Sequence, residues 1–185
     1  MSTAPATRIR CAWAGTSPDY VAYHDEEWGR ELHGETALFE RLSLEAFQSG
    51  LSWLTILRKR AQFRVAFAGF DVDTVAGFGD ADVLRLLADA GIVRNRAKIL
   101  ATIANARAVR ANVEDLDALL WSFAPRGRPR PRTEADVRST SPESVAMTRE
   151  LRRRGLAFVG PTTCYALMQA SGMVDDHVAP CWRAR

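Results

Sequence analysis

Apolar residues recur along this chain at helical spacing, and the segments they define are separated by cap and turn chemistry, not by the alternating runs that strands require. The pattern predicts an all-α protein. Thr36 or a neighbour opens a helix with Leu38, Phe39, Leu42 and Ala46 on its apolar side, and Gly50 closes it as a left-handed residue. Ser52 caps the next helix, whose stripe reads Leu54, Leu57, Ala61 and Val65. Asp71 and Asp80 are further N-cap candidates, the latter opening a short helix through Val83, Leu84 and Leu87. The turn Asp89-Ala90-Gly91-Ile92 then leads into a helix from about Arg94, with Ile99, Ile103 and Ala106 in register, so the two form a hairpin.

Asp115 caps a short segment containing Leu119, Leu120 and Trp121, and the stretch PRGRPRPR from Pro125 to Arg132 is too proline-rich for regular helix. Ser141 with Pro142 starts another helix that Gly155 stops; Pro161 starts the last long one, stopped by Gly172. The charge-free stretch from Gly155 to Val174 has membrane length, but its glycines, proline and polar residues make it a poor span and a better buried helix. No membrane association is expected. The opening MSTAPATRIR has no apolar h-region, so a secretory signal is not expected and the expected compartment is cytoplasmic.

At 185 residues, with 47% hydrophobic and 25% charged residues, the chain is expected to form a single domain, which excludes disordered and fibrous classes. Within it, about 36–155 is read as a central helical part with the hairpin near 80–110. Net charge is only +3, yet residues 94–185 hold 16 Lys+Arg against 9 Asp+Glu, while 1–93 hold 9 against 13. The positive field thus lies in the second half. All cations but Lys59 and Lys98 are arginine, which suits bidentate phosphate contact, although a GC-rich genome gives the same bias.

Three sets of residues carry possible chemistry. Cys11 with His24 near the start, and His177 with Cys181 near the end, form the mixed thiol and imidazole set that tetrahedral zinc prefers; plain burial explains them equally well from spacing alone. Four protein ligands would leave no open position, making such a metal a staple and not a hydrolytic centre. Cys164, inside the last helix, reads as core. At the Gly91 hairpin, backbone N–H groups and the helix dipole favour a phosphate, with Arg94, Arg96 and Lys98 beside it; an ordinary helical hairpin with a solvated basic face is the alternative. Finally, Glu45 falls on or beside the stripe of Leu38 and Leu42 in a chain with Trp13, Tyr20, Tyr23, Trp28 and Trp53. Either an arginine partner accounts for that carboxylate, or rings stack on a flat cationic ligand while Glu45 accepts its N–H groups.

The runs YVAYHDEEWG, LEAFQSGLSW, AGIVRNRAKI and RRRGLAFVGPTTCYALMQASGMVDDH, in this order and spacing, resemble the 3-methyladenine DNA glycosylase I (Tag) family from about Cys11 to Cys181. The resemblance implies a helix-hairpin-helix DNA glycosylase fold, with a structural zinc joining the N- and C-terminal segments, 1–35 and 156–185. It implies excision of 3-methyladenine, and less efficiently 3-methylguanine, from alkylated double-stranded DNA, with free 3-methyladenine as product. No organic cofactor and no lyase step are expected, and a monomer is expected.

Residue by residue, the resemblance places Cys11, His24, His177 and Cys181 on zinc ligands and Glu45 on the carboxylate that binds the extruded base and serves the chemical step. Trp53 falls on a stacking ring and Tyr23 on a base-contacting tyrosine, the two sandwiching the base. Trp13, Tyr20 and Trp28 fall on other pocket aromatics, and Gly91, Arg94, Arg96 and Lys98 on the DNA-backbone element. Two departures stand out: Asp175 where relatives carry asparagine beside the zinc histidine, and an unusually basic PRGRPRPR loop. Neither Asp115 nor Asp117 is assigned a catalytic role.

Overall fold

The computed structural model describes residues 8–127 and 129–184; the first seven residues, part of the stretch read for a signal, and Arg128 of the basic loop lie outside them. Among the described residues there are nine α-helices and no strand. They are α1 (Pro18–Glu26), α2 (Glu35–Gln48), α3 (Trp53–Ala66), α4 (Val72–Ala76), α5 (Asp80–Ala88), α6 (Arg96–Asn112), α7 (Leu116–Trp121), α8 (Pro142–Arg153) and α9 (Pro161–Ala170). The expected all-α class holds. Of these, α1 is the helix that the apolar pattern did not announce: its polar sequence PDYVAYHDE buries only Tyr23 and His24.

Helix α2 is the hub, packing against α3, α6, α7 and α9. Every residue from Arg41 to Phe47 is buried, so this helix is covered on all sides and any ionisable group on it must enter the interior. Gly50 takes the left-handed conformation expected of it, at φ 80°. Ser52 caps α3 by accepting from the Thr55 N–H at 3.2 Å, but the helix is rotated relative to the predicted stripe. Trp53, Ile56, Phe63 and Ala66 face inward, whereas Val65 is 73% exposed, because the large rings bury more apolar area than the leucine stripe would.

Asp71 caps α4 through the Thr74 N–H at 2.8 Å, and Asp115 caps α7 through the Ala118 N–H at 2.9 Å, both as expected. Asp80 does not cap α5. Gly79 holds that position and its N–H donates to Asp82 Oδ2 at 3.0 Å, leaving Asp80 as the first helical residue. The α5–α6 hairpin exists, with Asn95, not Arg94, opening α6 by accepting from the Lys98 N–H at 3.1 Å. Its turn is pinned internally by Gly91 N–H to Asp89 Oδ1 at 2.7 Å, and from α3 by Lys59 Nζ donating to the carbonyls of Ala90 and Gly91.

Ser141 and Pro142 open α8, and Pro161 opens α9 behind Gly160, as predicted. Cys164 is fully buried, as expected of a core residue. Gly172, at φ +75°, ends the α9 segment where a Cβ would stand 2.5 Å from the Arg30 carbonyl carbon, so only glycine lets the chain cross residues 30–31 this closely. Backbone bonds from Gly29 N–H to Gln169 O and from Leu32 N–H to Ser171 O seal that crossing, and Trp182 N–H reaches Ile9 O. The two ends of the chain are thereby joined. No described helix is long and apolar enough to cross a membrane.

Candidate active site

A cavity of about 360 Å³ opens among α1, α2, α3 and α9, a size and concavity suited to a small flat ligand. Trp13, Tyr20, Tyr23, Trp28, Trp53 and Glu45 all line it. Trp13 meets Tyr20 and Trp28 edge-on, with centroids 5.8 Å and 5.0 Å apart. The Tyr20 hydroxyl accepts from the Leu54 N–H at 3.0 Å, tying α1 to the start of α3. Tyr23 and Trp53 lie 5.4 Å apart at 45°, in contact with each other. A ring inserted between two others needs about 7 Å, twice the usual contact distance. In this structure the two rings adjoin and leave no gap between them for a third, so the expected Tyr23–Trp53 sandwich is not formed in this arrangement, although both rings line the cavity.

Glu45 is 5% exposed, and burial pushes its carboxyl up to about 7, against which Arg41, one turn earlier on α2, is the one opposing charge. Among the described residues nothing donates a hydrogen bond to it. Arg41 does not close on it as a salt bridge either: its Nη1 donates to Tyr23 Oη at 2.8 Å and its Nη2 stands 3.6 Å from Glu27, which Arg60 holds with two bonds. A buried carboxyl without a partner is costly to the fold, and one facing a ring-lined cavity marks a binding function.

Beside the cavity, ligand atoms of Cys11, His24 and Cys181 lie within 4.8 Å of one another, all buried, in a group that could hold a metal ion. Burial and the neighbouring Cys181 push the Cys11 thiol up to about 12, so Cys11 resists ionising unless a cation sits beside its sulfur. His24 turns Nε2 to Cys181 Sγ at 3.4 Å and Nδ1 to Asp25 at 2.8 Å. His177 stands outside that tight trio, but its ring is 5.1 Å from that of His24, its Nδ1 meets Asp175 at 2.8 Å, and its Nε2 is buried with no hydrogen-bond partner. Gly29, at φ +75°, makes room: a Cβ there would come 2.7 Å from the His177 ring. Two imidazoles, each oriented through Nδ1 by a carboxylate and each with Nε2 turned inward, are what a metal requires of its ligands. Trp13 and Trp28 pack on these histidines and also line the cavity, so group and cavity share a wall.

The sequence profile described as methyladenine glycosylase matches residues 13–184. The DNA-3-methyladenine glycosylase 1 of Escherichia coli K12 is 43% identical over 178 residues, covering 93% of this chain and 95% of that protein. A crystal structure of 3-methyladenine DNA glycosylase I superposes with a TM-score of 0.91 at 42% identity, covering 96% of this chain and all of the other. The Staphylococcus aureus enzyme, solved to explain 3-methyladenine recognition, gives 0.88 at 31% identity over 95% of this chain and 96% of its own. The chain belongs to the methyladenine glycosylase family. It is accordingly an enzyme, a DNA-3-methyladenine glycosylase.

Not all the residues expected to serve this glycosylase stand where they were expected. Arg94 and Arg96 are exposed at the hairpin. Lys98 is not: it is 8% exposed and its Nζ donates to the carbonyls of Phe47 at 2.8 Å and Ser49 at 2.6 Å, closing the C-terminus of α2. Lys98 therefore leaves the DNA-backbone set, because its ammonium is buried and donates to two backbone carbonyls, and burial lowers its pKa. The Gly91 N–H is likewise consumed by Asp89. Among the described residues, the guanidinium groups of Arg94 and Arg96 make no hydrogen bond or ion pair, and the first N–H groups of α6, ahead of the capped Lys98 N–H, have no intrahelical acceptor.

Sequence reasoning missed the α9 wall of the cavity. Tyr165 donates to Asp176 Oδ2 at 2.6 Å and Gln169 donates to the same oxygen at 2.8 Å; all three line the cavity, with Gln48, Thr162 and Arg138. The available signal was polar Tyr165 and Gln169 four apart on an otherwise apolar helix, one turn face of α9 that was not hydrophobic. Asp175, the departure from relatives, accepts from the His177 backbone and ring and pairs with Arg130 at 3.3 Å. The basic loop thus neutralises the extra acid beside the histidine.

Proposed function

We propose that this glycosylase extrudes 3-methyladenine from alkylated double-stranded DNA into the aromatic cavity and hydrolyses its N-glycosidic bond. The observation that carries the reading is Glu45, a buried carboxyl facing the cavity without a partner. Methylation at N3 gives the nucleotide's adenine a fixed positive charge, and such a base supplies the missing partner: its amine N–H groups donate to the carboxylate while its charge replaces the lost hydration. Neutral adenine would offer the hydrogen bonds without the charge. The cation also weakens the bond to the sugar, so the C1′–N9 electron pair leaves with a base that becomes neutral, and water adds at C1′. Little acid catalysis is needed, and selection falls to extrusion and fit. 3-Methylguanine, with a bulkier, differently substituted edge, is the slower substrate.

The reaction is read as monofunctional. The chain's two lysines both have their ammonium groups engaged with backbone carbonyls, Lys59 at the hairpin and Lys98 at the end of α2, so neither is placed for a Schiff base. Asp115 and Asp117 are occupied as a helix cap and by His33 with the Gly34 N–H. The metal is read as zinc, held by Cys11, His24, Cys181 and His177 and stapling residues 1–35 to 156–185 in one domain; with four protein ligands it supplies structure and no chemistry. The α5–α6 hairpin is read as a helix-hairpin-helix element that takes a DNA phosphate, and the enzyme as a cytoplasmic monomer.

Incubation with methylated duplex DNA, followed by chromatography of the small molecules, should show free 3-methyladenine accumulating with time. A protein that binds the duplex and releases no base would be a DNA-binding module instead. Replacing Arg94 and Arg96 together by alanine should weaken duplex binding and reduce the slope of log K against log salt by about 0.9 per lost phosphate contact. Free-base binding should not change, and an unaltered salt slope would remove the hairpin arginines from the interface.

A further inference from the structure

Residues 129–138, in and after the basic loop, form a segment tied to the rest of the fold. Pro129 and Pro131 restrict its backbone, and three anchors fix it: Pro131 O accepts from the Ala179 N–H at 3.0 Å, Arg130 pairs with Asp175, and Glu134 accepts from the Ala12 N–H at 2.6 Å. Asp136 is exposed on the same concavity, but its Oδ2 is occupied, accepting from the backbone N–H groups of Arg132 and Thr133 and from the Thr133 hydroxyl. The result is a second concavity of about 400 Å³, lined by residues 129–132, Asp136 and Arg138. Arg130 Nε is buried without a hydrogen-bond partner, behind the pair that its Nη2 makes with Asp175. The guanidinium groups of Arg132 and Arg138 make no hydrogen bond or ion pair with any described residue, and both residues are exposed. Arg138 lines this concavity and the base cavity alike, so the two are neighbours across one side chain.

A nucleotide whose base occupies the cavity must leave its sugar and flanking phosphates at the rim. At that rim Arg132 and Arg138 have no hydrogen-bonded or ion-pair partner, and with Arg130 they outnumber the one carboxylate, Asp136, whose charge Arg132 feels; such a surface suits an anionic, repeating ligand, and the anchors already meet part of the cost of ordering it. We infer that residues 129–138 form a phosphate-binding rail for the backbone of the damaged strand beside the extruded nucleotide, with Arg132 and Arg138 on its phosphates. This rests on the cavity being the base site, as proposed above.

The test is binding of Arg132→Ala and Arg138→Ala to a duplex carrying a tetrahydrofuran abasic analogue, with either natural phosphates or uncharged methylphosphonates on both sides of that position. Each substitution should weaken binding of the natural duplex about tenfold, the usual size of a lost charged hydrogen bond, and lower the salt slope by between about 0.7 and 0.9. Methylphosphonates should weaken the wild type similarly and cost the double variant little more. Equal losses from methylphosphonate in wild type and double variant would overturn the rail, as would unchanged duplex affinity. Titration of Arg132→Ala with free 3-methyladenine, followed by tryptophan fluorescence, should match the wild type; weaker base binding there would mean the loop acts through the cavity and would also overturn the assignment. If the wild type itself binds no free base, the base-site reading fails, while the methylphosphonate arm still decides the rail.

Discussion

Glu45→Gln should lose about 100-fold or more of single-turnover excision while melting at a higher temperature than the wild type above pH 7. The two effects share one cause. The wild-type carboxyl is held protonated to about pH 7 by burial, because ionising it inside the ring-lined cavity forfeits hydration that only the cationic base restores. Glutamine keeps the shape and one acceptor but cannot balance the charge, so it forfeits the part of recognition that distinguishes methylated from ordinary adenine; loss of one such electrostatic contact usually costs two to three orders of magnitude.

The sign of the stability change follows from linkage. Below about pH 4.5, the ordinary glutamate value, the carboxyl is protonated folded and unfolded, and the substitution should be nearly neutral. Between there and about 7 the unfolded chain holds fewer protons than the folded one, so wild-type stability falls as pH rises; above 7 the full cost persists, on the order of 3 kcal/mol for a shift of this size. Thermal melts at pH 4.5 and pH 8 should therefore show the variant's advantage opening only at the higher value. The kcat/KM of the wild type should rise with pH and level off above about 7, and the corresponding step in kcat should lie lower, since bound cationic base favours ionised Glu45. Wild-type excision by the glutamine variant would remove Glu45 from the mechanism, whatever the melts show.

The behaviour of Glu45 also explains how far the chain could be read without coordinates. Helix ends were legible because caps are local: Ser52, Asp71, Asp115 and Ser141 each bond a backbone N–H three residues on, a relation that needs no tertiary partner. The facing of α3 was not, since Leu54 and Val65 form as regular a stripe as Trp53, Ile56 and Phe63, and only packing against α2 decides between them. Residue type identified the candidate cavity residues, but not their relation: Tyr23 and Trp53 touch because Arg41 draws the Tyr23 hydroxyl into the Glu27–Arg60 network. Lys98 looked like a phosphate ligand for the same reason. Its sequence neighbours are hairpin arginines, whereas its contacts, Phe47 and Ser49, lie about fifty positions away. The α9 wall was hidden because Asp176 becomes part of the cavity only when the chain doubles back after Gly172.

Removal of the proposed metal should be the largest stability change available to this enzyme. Protein purified without chelator should carry about one zinc per chain, and either a strong chelator or Cys181→Ala should lower the melting temperature by about 10 °C or more, a loss of several kcal/mol for a chain of this length. The reason lies in what the ligands join. Cys11 and His24 belong to the first turns of the chain and His177 and Cys181 to its last; between them run few direct bonds, chiefly Trp182 N–H to Ile9 O and the crossing at Gly172. Without a cation, the protonated Cys11 thiol, the buried sulfur of Cys181 beside the His24 imidazole, and the Nε2 of His177 remain as buried polar groups, each a cost. Because Trp13 and Trp28 rest on the two histidines while lining the base cavity, free-base affinity should fall together with metal content and recover when zinc is restored. His177→Ala separates four ligands from three. If His177 is a ligand, cobalt substituted for zinc should lose its tetrahedral absorption in this variant while keeping its thiolate band; an unchanged spectrum would leave Cys11, His24 and Cys181 as the protein's whole contribution. Finding no metal in the purified enzyme, with a melting temperature indifferent to chelator, would make the buried thiols and imidazoles ordinary core residues and leave these segments held by packing and their few hydrogen bonds.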